Sequence, residues 1–577
     1  MMRGLKFAAA VVIGAAIAVA ALHFYGRPGA KITERARQSA TAPADSLSAK
    51  LIPADDLPPA GTRSLFDHLI AQNDVLPYPF EKLIAAIQKQ DPRNKPPLVL
   101  MIPQGRSLLK ASADCEHPRV LVTADFQAPN TAASLGFAPR GQLFLGFVEN
   151  AHEIEVLSYN EVAGRFEFQL VQDYCEGCVP KLVYAKRAIC ATCHQGAVPI
   201  FPQRPWNETN GQPETAAKIV EARQAAGFNH ESYLTAPIAN PLSAPERFDE
   251  LTDVAEFIPT MQRIWIDGCA DSDTCRKQLL RLALTYLWSP GEFDDKSAAA
   301  QRLRELQSKS WPAAGIAVAG NDLFNRNPLA ESRGIRGYLK GLITRKLEPG
   351  AGAKNNEDLE AFERLPKLPA ELDPLTPRAP KRVLTAQDID GAFGVAALFT
   401  ESDFRDLEKA AKSDREKLLA AVDKLDPAYF APAPFSRVKM MQGLTVALGA
   451  KTPPGYCCLS TADMSPPIAS GEPPVAIAQG SPIKPFEQFC FACHRGNPSK
   501  RLNFMAGKTE AEVTAHIKEK SEIRDVLGWP RYRGTDKENK LMPPADSAQR
   551  TQLERALADN PKLLEQMRAV VPGLFDF

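Results

Sequence analysis

The chain lacks an excess of charge of either sign. Its 577 residues carry 69 Lys and Arg against 68 Asp and Glu, a formal net charge of +1. That balance gives no electrostatic case for nucleic acid or a strongly anionic surface as partner, so any docking must use local patches. A second long apolar run is also missing: after the first 25 residues no stretch is long and apolar enough to span a bilayer. Apart from one pentapeptide there is no internal repeat, which excludes a repeat array. The hydrophobic fraction of 44% and charged fraction of 24% are ordinary for a globular protein. At this length three or four folded units are expected. Proline is in surplus, at 49 residues, and predicts many turns and linkers.

The first residues read as an export signal. Arg3 and Lys6 flank an uncharged Ala/Val/Ile run from Phe7 to Leu22. Ala18-Val19-Ala20 offers a small-x-small cleavage site, while Leu22 to Tyr25 extend the apolar stretch towards spanning length. The expectation is a periplasmic protein whose segment 1–25 is either removed as a signal peptide or retained as an inner-membrane anchor.

Four of the eleven cysteines fall into two copies of one pattern, C-x-x-C-H: Cys190-Ala191-Thr192-Cys193-His194 and Cys490-Phe491-Ala492-Cys493-His494. Two thiols three positions apart can each form a thioether to a haem vinyl group, and the next residue places an imidazole under the iron. From this composition chance gives about 0.003 such pentapeptides per chain, so two are not accidental. Both continue as C-x-x-C-H-x-G, through Gly196 and Gly496. The cofactor expectation is therefore two covalently bound haem c groups, held by Cys190, Cys193, Cys490 and Cys493, with His194 and His494 as iron ligands.

Cys175 and Cys178 precede the first motif and create near zinc-ribbon spacing. A four-cysteine zinc site would leave His194 unexplained, and an exported protein tends to oxidise spare thiols, so haem is the preferred reading. Cys175 and Cys178 are then either a local disulfide or a shield beside the haem. Cys269 and Cys275 bracket a polar turn short enough for a local bridge, and at least one of the adjacent Cys457 and Cys458 is expected to bond a distant partner such as Cys115.

Along the chain, 26–60 reads as a tether. Strand-like alternation follows in Leu98–Ile102, Arg119–Val122, Gln142–Phe147, Glu153–Leu157 and Arg165–Leu170, giving a β-rich module over 61–214 that ends in the first motif. The first haem is expected against a sheet edge or the helix packed on it. Region 215–347 reads as helical, with apolar spacing in Ala216–Ala226, Val254–Ile266 and Arg276–Trp288. Linkers are expected at 348–385 and 453–485, on either side of a helical segment, 386–452. The fold class is thus α+β and multidomain, with an all-α unit at the C-terminus.

That unit, 486–577, resembles a class I cytochrome c domain in three parts that occur in order. Phe489 to Gly496 carry the attachment motif behind a short helix that Pro485 can open. Leu541-Met542-Pro543-Pro544 follows, and then a terminal helix from Ser547 to Asp559. The resemblance implies that Met542 supplies the second axial ligand opposite His494, with Met505 and Met464 as alternatives, and that this haem has the higher potential if the other is bis-His. The family's usual N-terminal helix has little room between Pro482, Pro485 and Cys490.

For the first haem, His230, Met261, His152 and His117 are the candidate second ligands, with none preferred. The run Ile200 to Trp206 is expected against the porphyrin or in the core, with Arg204 a candidate for a propionate. The function expected is electron transfer between a periplasmic donor protein and an acceptor protein. The alternative is a peroxidase-like dihaem enzyme with an open first haem, although bacterial dihaem peroxidases place their motifs much closer together. A haem-stabilised scaffold is the third class.

Overall fold

Alternating side chains between Leu98 and Tyr184 fold as a six-stranded antiparallel sheet whose strands lie in sequence order: β1 (Leu98–Ile102), β2 (Arg119–Thr123), β3 (Leu143–Val148), β4 (Glu153–Asn160), β5 (Arg165–Gln172) and β6 (Lys181–Tyr184). The computed structural model describes residues 46–71, 76–102, 113–126, 138–148, 151–191, 194–199, 210, 213–227, 232–233, 236–237, 244–318, 382–451, 461, 464–470, 475, 477–495, 503–535, 541–543 and 548–571. The export segment, most of the tether, the Ile200–Trp206 run with Arg204, His230, Cys193, Cys457, Cys458, Gly496, Pro544, the cap at Ser547 and the connection up to Lys381 lie outside the described residues. Among those described, no helix is long and apolar enough to cross a membrane.

Because successive strand residues point to opposite faces, one face gathers Val99, Val120, Val122, Leu145, Phe147 and Val156 beneath α1 (Leu65–Ala71) and α2 (Phe80–Gln88). The other gathers Leu100, Leu121, Phe144, Leu157, Phe166 and Phe168. Straight after β6 comes a one-turn helix, α3 (Arg187–Cys190), and the second sheet face is covered by α4 (Ala244–Ile266) through Phe248, Leu251, Ala255 and Ile258. Helix α4 is apolar on two sides. Its far end turns Met261, Ile264 and Trp265 into a helical core with Leu279, Leu280 and Leu284 of α5 (Asp273–Trp288). Val395, Leu407, Leu418, Met441 and Leu444 belong to the same core, and Ile316–Val318 pairs with Arg382–Leu384 beside it.

The helical periodicity of 402–425 resolves into two helices, Glu401–Ala411 and Arg415–Asp423. Lys412 and Ser413 take left-handed φ angles of 61° and 55° between them. Capping explains the break: Thr400 and Asp403 form a reciprocal box at the first start, and Asp414 accepts from the Lys417 amide at the second.

Several buried charges tie these layers together. Glu167, on β5 and fully buried, accepts from Arg165 at 2.8 and 2.9 Å, from Arg187 at 2.8 Å and from Asn160 at 3.0 Å. Arg165 also donates to the carbonyls of Pro53 and Leu57, and Arg187 to those of Phe166 and Asp55. A buried ion pair adds little over an apolar substitute, but removing one partner strands the others. Glu167→Ala is therefore expected to cost about 3–5 kcal/mol in a urea titration, and a loss under about 1 kcal/mol would contradict this network.

His68, on α1, is 7% exposed. Burial, followed by the nearby Arg63 charge, lowers its pKa to about 4. A depressed folded-state pKa means that the unfolded chain takes up the proton first, near pH 6.5. His68 therefore stabilises the fold in its neutral form, and that contribution is lost as pH falls from about 6.5 through about 4. About 3 kcal/mol of acid sensitivity over this window should vanish in His68→Gln. Between pH 7 and 4 the thermal midpoint of wild type should fall relative to that of His68→Gln; parallel curves would contradict the assignment.

Candidate functional site

Both pentapeptides begin where a helix has just delivered the chain. In the first, α3 follows β6 by two residues and ends at Cys190, whose carbonyl accepts from the His194 amide at 2.8 Å. In the second, α6 (Lys484–Phe489), with Pro485 in its first turn, leads into α7 (Phe491–His494), and the Cys490 carbonyl accepts from the His494 amide at 2.9 Å. The same closed turn thus carries the thiol and the imidazole in each motif.

The imidazoles have apolar walls. The His194 ring lies 5.5 Å from Phe168 of β5, and its Nδ1 is 3.1 Å from the Val198 carbonyl. With Nδ1 bonded to a carbonyl, Nε2 is the ring nitrogen that a metal would take. Burial lowers its pKa to about 4, so the ring is neutral at pH 7, the form a metal requires. The His494 ring lies 4.4 Å from Phe504. Burial pushes the Cys490 thiol up to about 12 and Cys493 up to about 11. Burial keeps these thiols protonated, with the Lys186 and Asp56 charges acting in opposite directions on Cys493, and paired thiols with an adjacent imidazole are a donor set that fits a covalently held haem.

Met542 stands on another segment of the C-terminal unit. Its amide donates to the Val526 carbonyl at 2.9 Å, and its own carbonyl accepts from Trp529 Nε1 at 3.0 Å. Arg550, on α8 (Ala548–Asp559), lies 3.6 Å over the Trp529 ring and donates to the Pro543 carbonyl at 3.2 Å. The Met542 backbone is therefore held on both sides. Met505, by contrast, donates its amide to the His494 carbonyl at 3.0 Å and is fully buried. That bond places its backbone beside the histidine's own turn, a poorer place from which to ligate opposite it. The short helix α6 packs on α8, so the limited room before Cys490 still allows that contact, but α8 is not the terminal helix expected from the sequence, because a further helix, Leu563–Val570, follows it.

Two attachment motifs about 300 residues apart meet in space: α3 packs against α7, and Lys186 donates to the Arg495 carbonyl. A single parallel β-bridge lies on the same side. Tyr184, at the end of β6, donates its amide to the Ile468 carbonyl at 2.7 Å and accepts from the Ser470 amide at 2.7 Å. Residues just ahead of the C-terminal unit therefore lie parallel to the sheet edge.

The remaining sequence candidates scatter. Met261 lies in the helical core, away from the sheet face that holds Cys190. His152 occupies an exposed turn with φ 49°, and His117 sits 3.4 Å from Asp114. Cys175 is bonded to Cys178, and Cys269 to Cys275. The first of these bridges removes two of the four thiolates a zinc site would need. Sequence reasoning missed Arg119 and Glu155, paired across Gly146 on the sheet face beside His194, where a Gly146 side chain would meet the Arg119 guanidinium at 2.8 Å. Their alternating position on strands was the available signal.

No family model, curated protein or solved structure matches this chain.

If the Trp529–Arg550 pair clamps the Met542 loop, Arg550→Ala should destabilise the C-terminal unit by about 1–3 kcal/mol through a lost cation–π contact and an unpaired buried carbonyl. Amide exchange at Leu541 and Met542 should quicken with it; unchanged exchange would contradict the clamp.

Proposed function

We propose that the chain is an exported dihaem c-type cytochrome that carries electrons between a donor and an acceptor protein. The observation that supports this reading is the packing of the helix that ends at Cys190 against the helix Phe491–His494, two C-x-x-C-H segments about 300 residues apart that share the bond from the histidine amide to the first cysteine's carbonyl. Cys190 and Cys193 would hold one group and Cys490 and Cys493 the other. His194 and His494 would each give an axial nitrogen, and Met542 a thioether sulfur to the second. When bound, each haem supplies a one-electron ferric/ferrous couple. The protein's own part is to keep the His194 imidazole neutral and oriented, to set Phe168 beside it and Phe504 beside His494, and to hold the two turns in contact. Docking would use local surface patches, as the +1 net charge gives no global steering, and the N-terminal segment would provide export, with or without a retained tether.

One observation favours a second reading. The charges of Glu155 and Arg119 both act on His194, and a charged pair beside an iron open to a small oxidant would suit a peroxidase-like enzyme. Absorption and electron paramagnetic resonance spectra separate the two. Electron transfer requires two low-spin haems, one with a methionine-to-iron band that is lost in Met542→Ala. A high-spin first haem that peroxide rapidly oxidises would overturn electron transfer in favour of the enzyme.

A further inference from the structure

Lys186 holds a position that neither motif defines. It is the residue from which α3 starts, four positions before Cys190 in a helix that ends at that thiol. Its amine donates to the carbonyl of Arg495, the neighbour of His494. One side chain thus stands at the root of one attachment turn and bonds the end of the other. Asp56 shares the place: its carboxylate accepts from the Arg187 amide at 2.7 Å, and it acts electrostatically on both Lys186 and Cys493. Both residues are partly buried, so solvent screens their fields less than it would on the open surface.

Resting on the dihaem reading above, we infer that Lys186 and Asp56 form a shared electrostatic control that sets the reduction potentials of both haems together. An ammonium beside an iron disfavours the extra positive charge of the ferric state, and a carboxylate favours it. Each member therefore moves the two couples in the same direction, and the two members act with opposite signs. Packing alone would not produce that sign reversal.

The test is a spectroelectrochemical titration of the full-length holoprotein, after the covalent haem content of each preparation has been measured. Wild-type protein with fewer than two haems would sink the dihaem reading itself, before any potential is read. With two haems present, Lys186→Met should raise the ferric-to-ferrous ratio of both about tenfold at fixed potential, a fall of about 59 mV for a one-electron couple. Lys186→Arg should stay near wild type, and Asp56→Asn should raise both potentials. If Lys186→Met fails to mature, Asp56→Asn decides. A shift confined to one haem, no shift, or shifts of the same sign in the lysine and aspartate variants would overturn the inference.

Discussion

The buried carboxylate of Glu167 is the constraint on which the arrangement of the N-terminal half depends. A charge inside a sheet is tolerable only if its oxygens are fully engaged. Glu167 meets that condition by drawing Arg165 from its own strand, Asn160 from the neighbouring strand and Arg187 from the first attachment helix. Through the same two arginines it captures the carbonyls of Pro53, Asp55 and Leu57. The entry segment, the β4–β5 hairpin and the first motif are thereby fixed to one point. Asp56 is brought against the backbone of Arg187 as a result.

From that point the order continues outward. Holding α3 at the sheet edge sets Lys186 where it can reach Arg495, and Tyr184 where it can pair with residues 468 and 470. The C-terminal unit is then met by a single β-bridge, one amine and the packing of the two motif helices. Its own core, built around Phe486, Phe489, Trp529 and Leu553, is a separate apolar cluster. Two units that fold around different cores thus share a contact at the residues that define the candidate cofactor sites.

Much of the local structure was legible because it is periodic. Five of the six sheet strands were readable from alternation, whereas β6, only Lys181–Tyr184, was too short to register. Residues 464–470 read as linker because of their prolines, yet Ile468 and Ser470 bond to the sheet edge through backbone atoms that carry no sequence signal. The two C-x-x-C-H pentapeptides were legible because their spacing is a recognisable pattern, and Met542 because it opens a Met-Pro-Pro sequence. Lys186, Asp56 and Glu167 belong to no motif. Their roles arise from contacts between distant segments, which one sequence does not encode in any local pattern.

The central claim is that both pentapeptides carry covalent haem. Intact-mass measurement of the purified full-length protein, with the Cys190→Ala/Cys193→Ala and Cys490→Ala/Cys493→Ala variants beside it, tests this most directly. The account requires two haem masses on the wild-type chain, one on each double variant and none when all four cysteines are replaced. A wild-type chain at its bare polypeptide mass, or a double variant that keeps both haems, would contradict it.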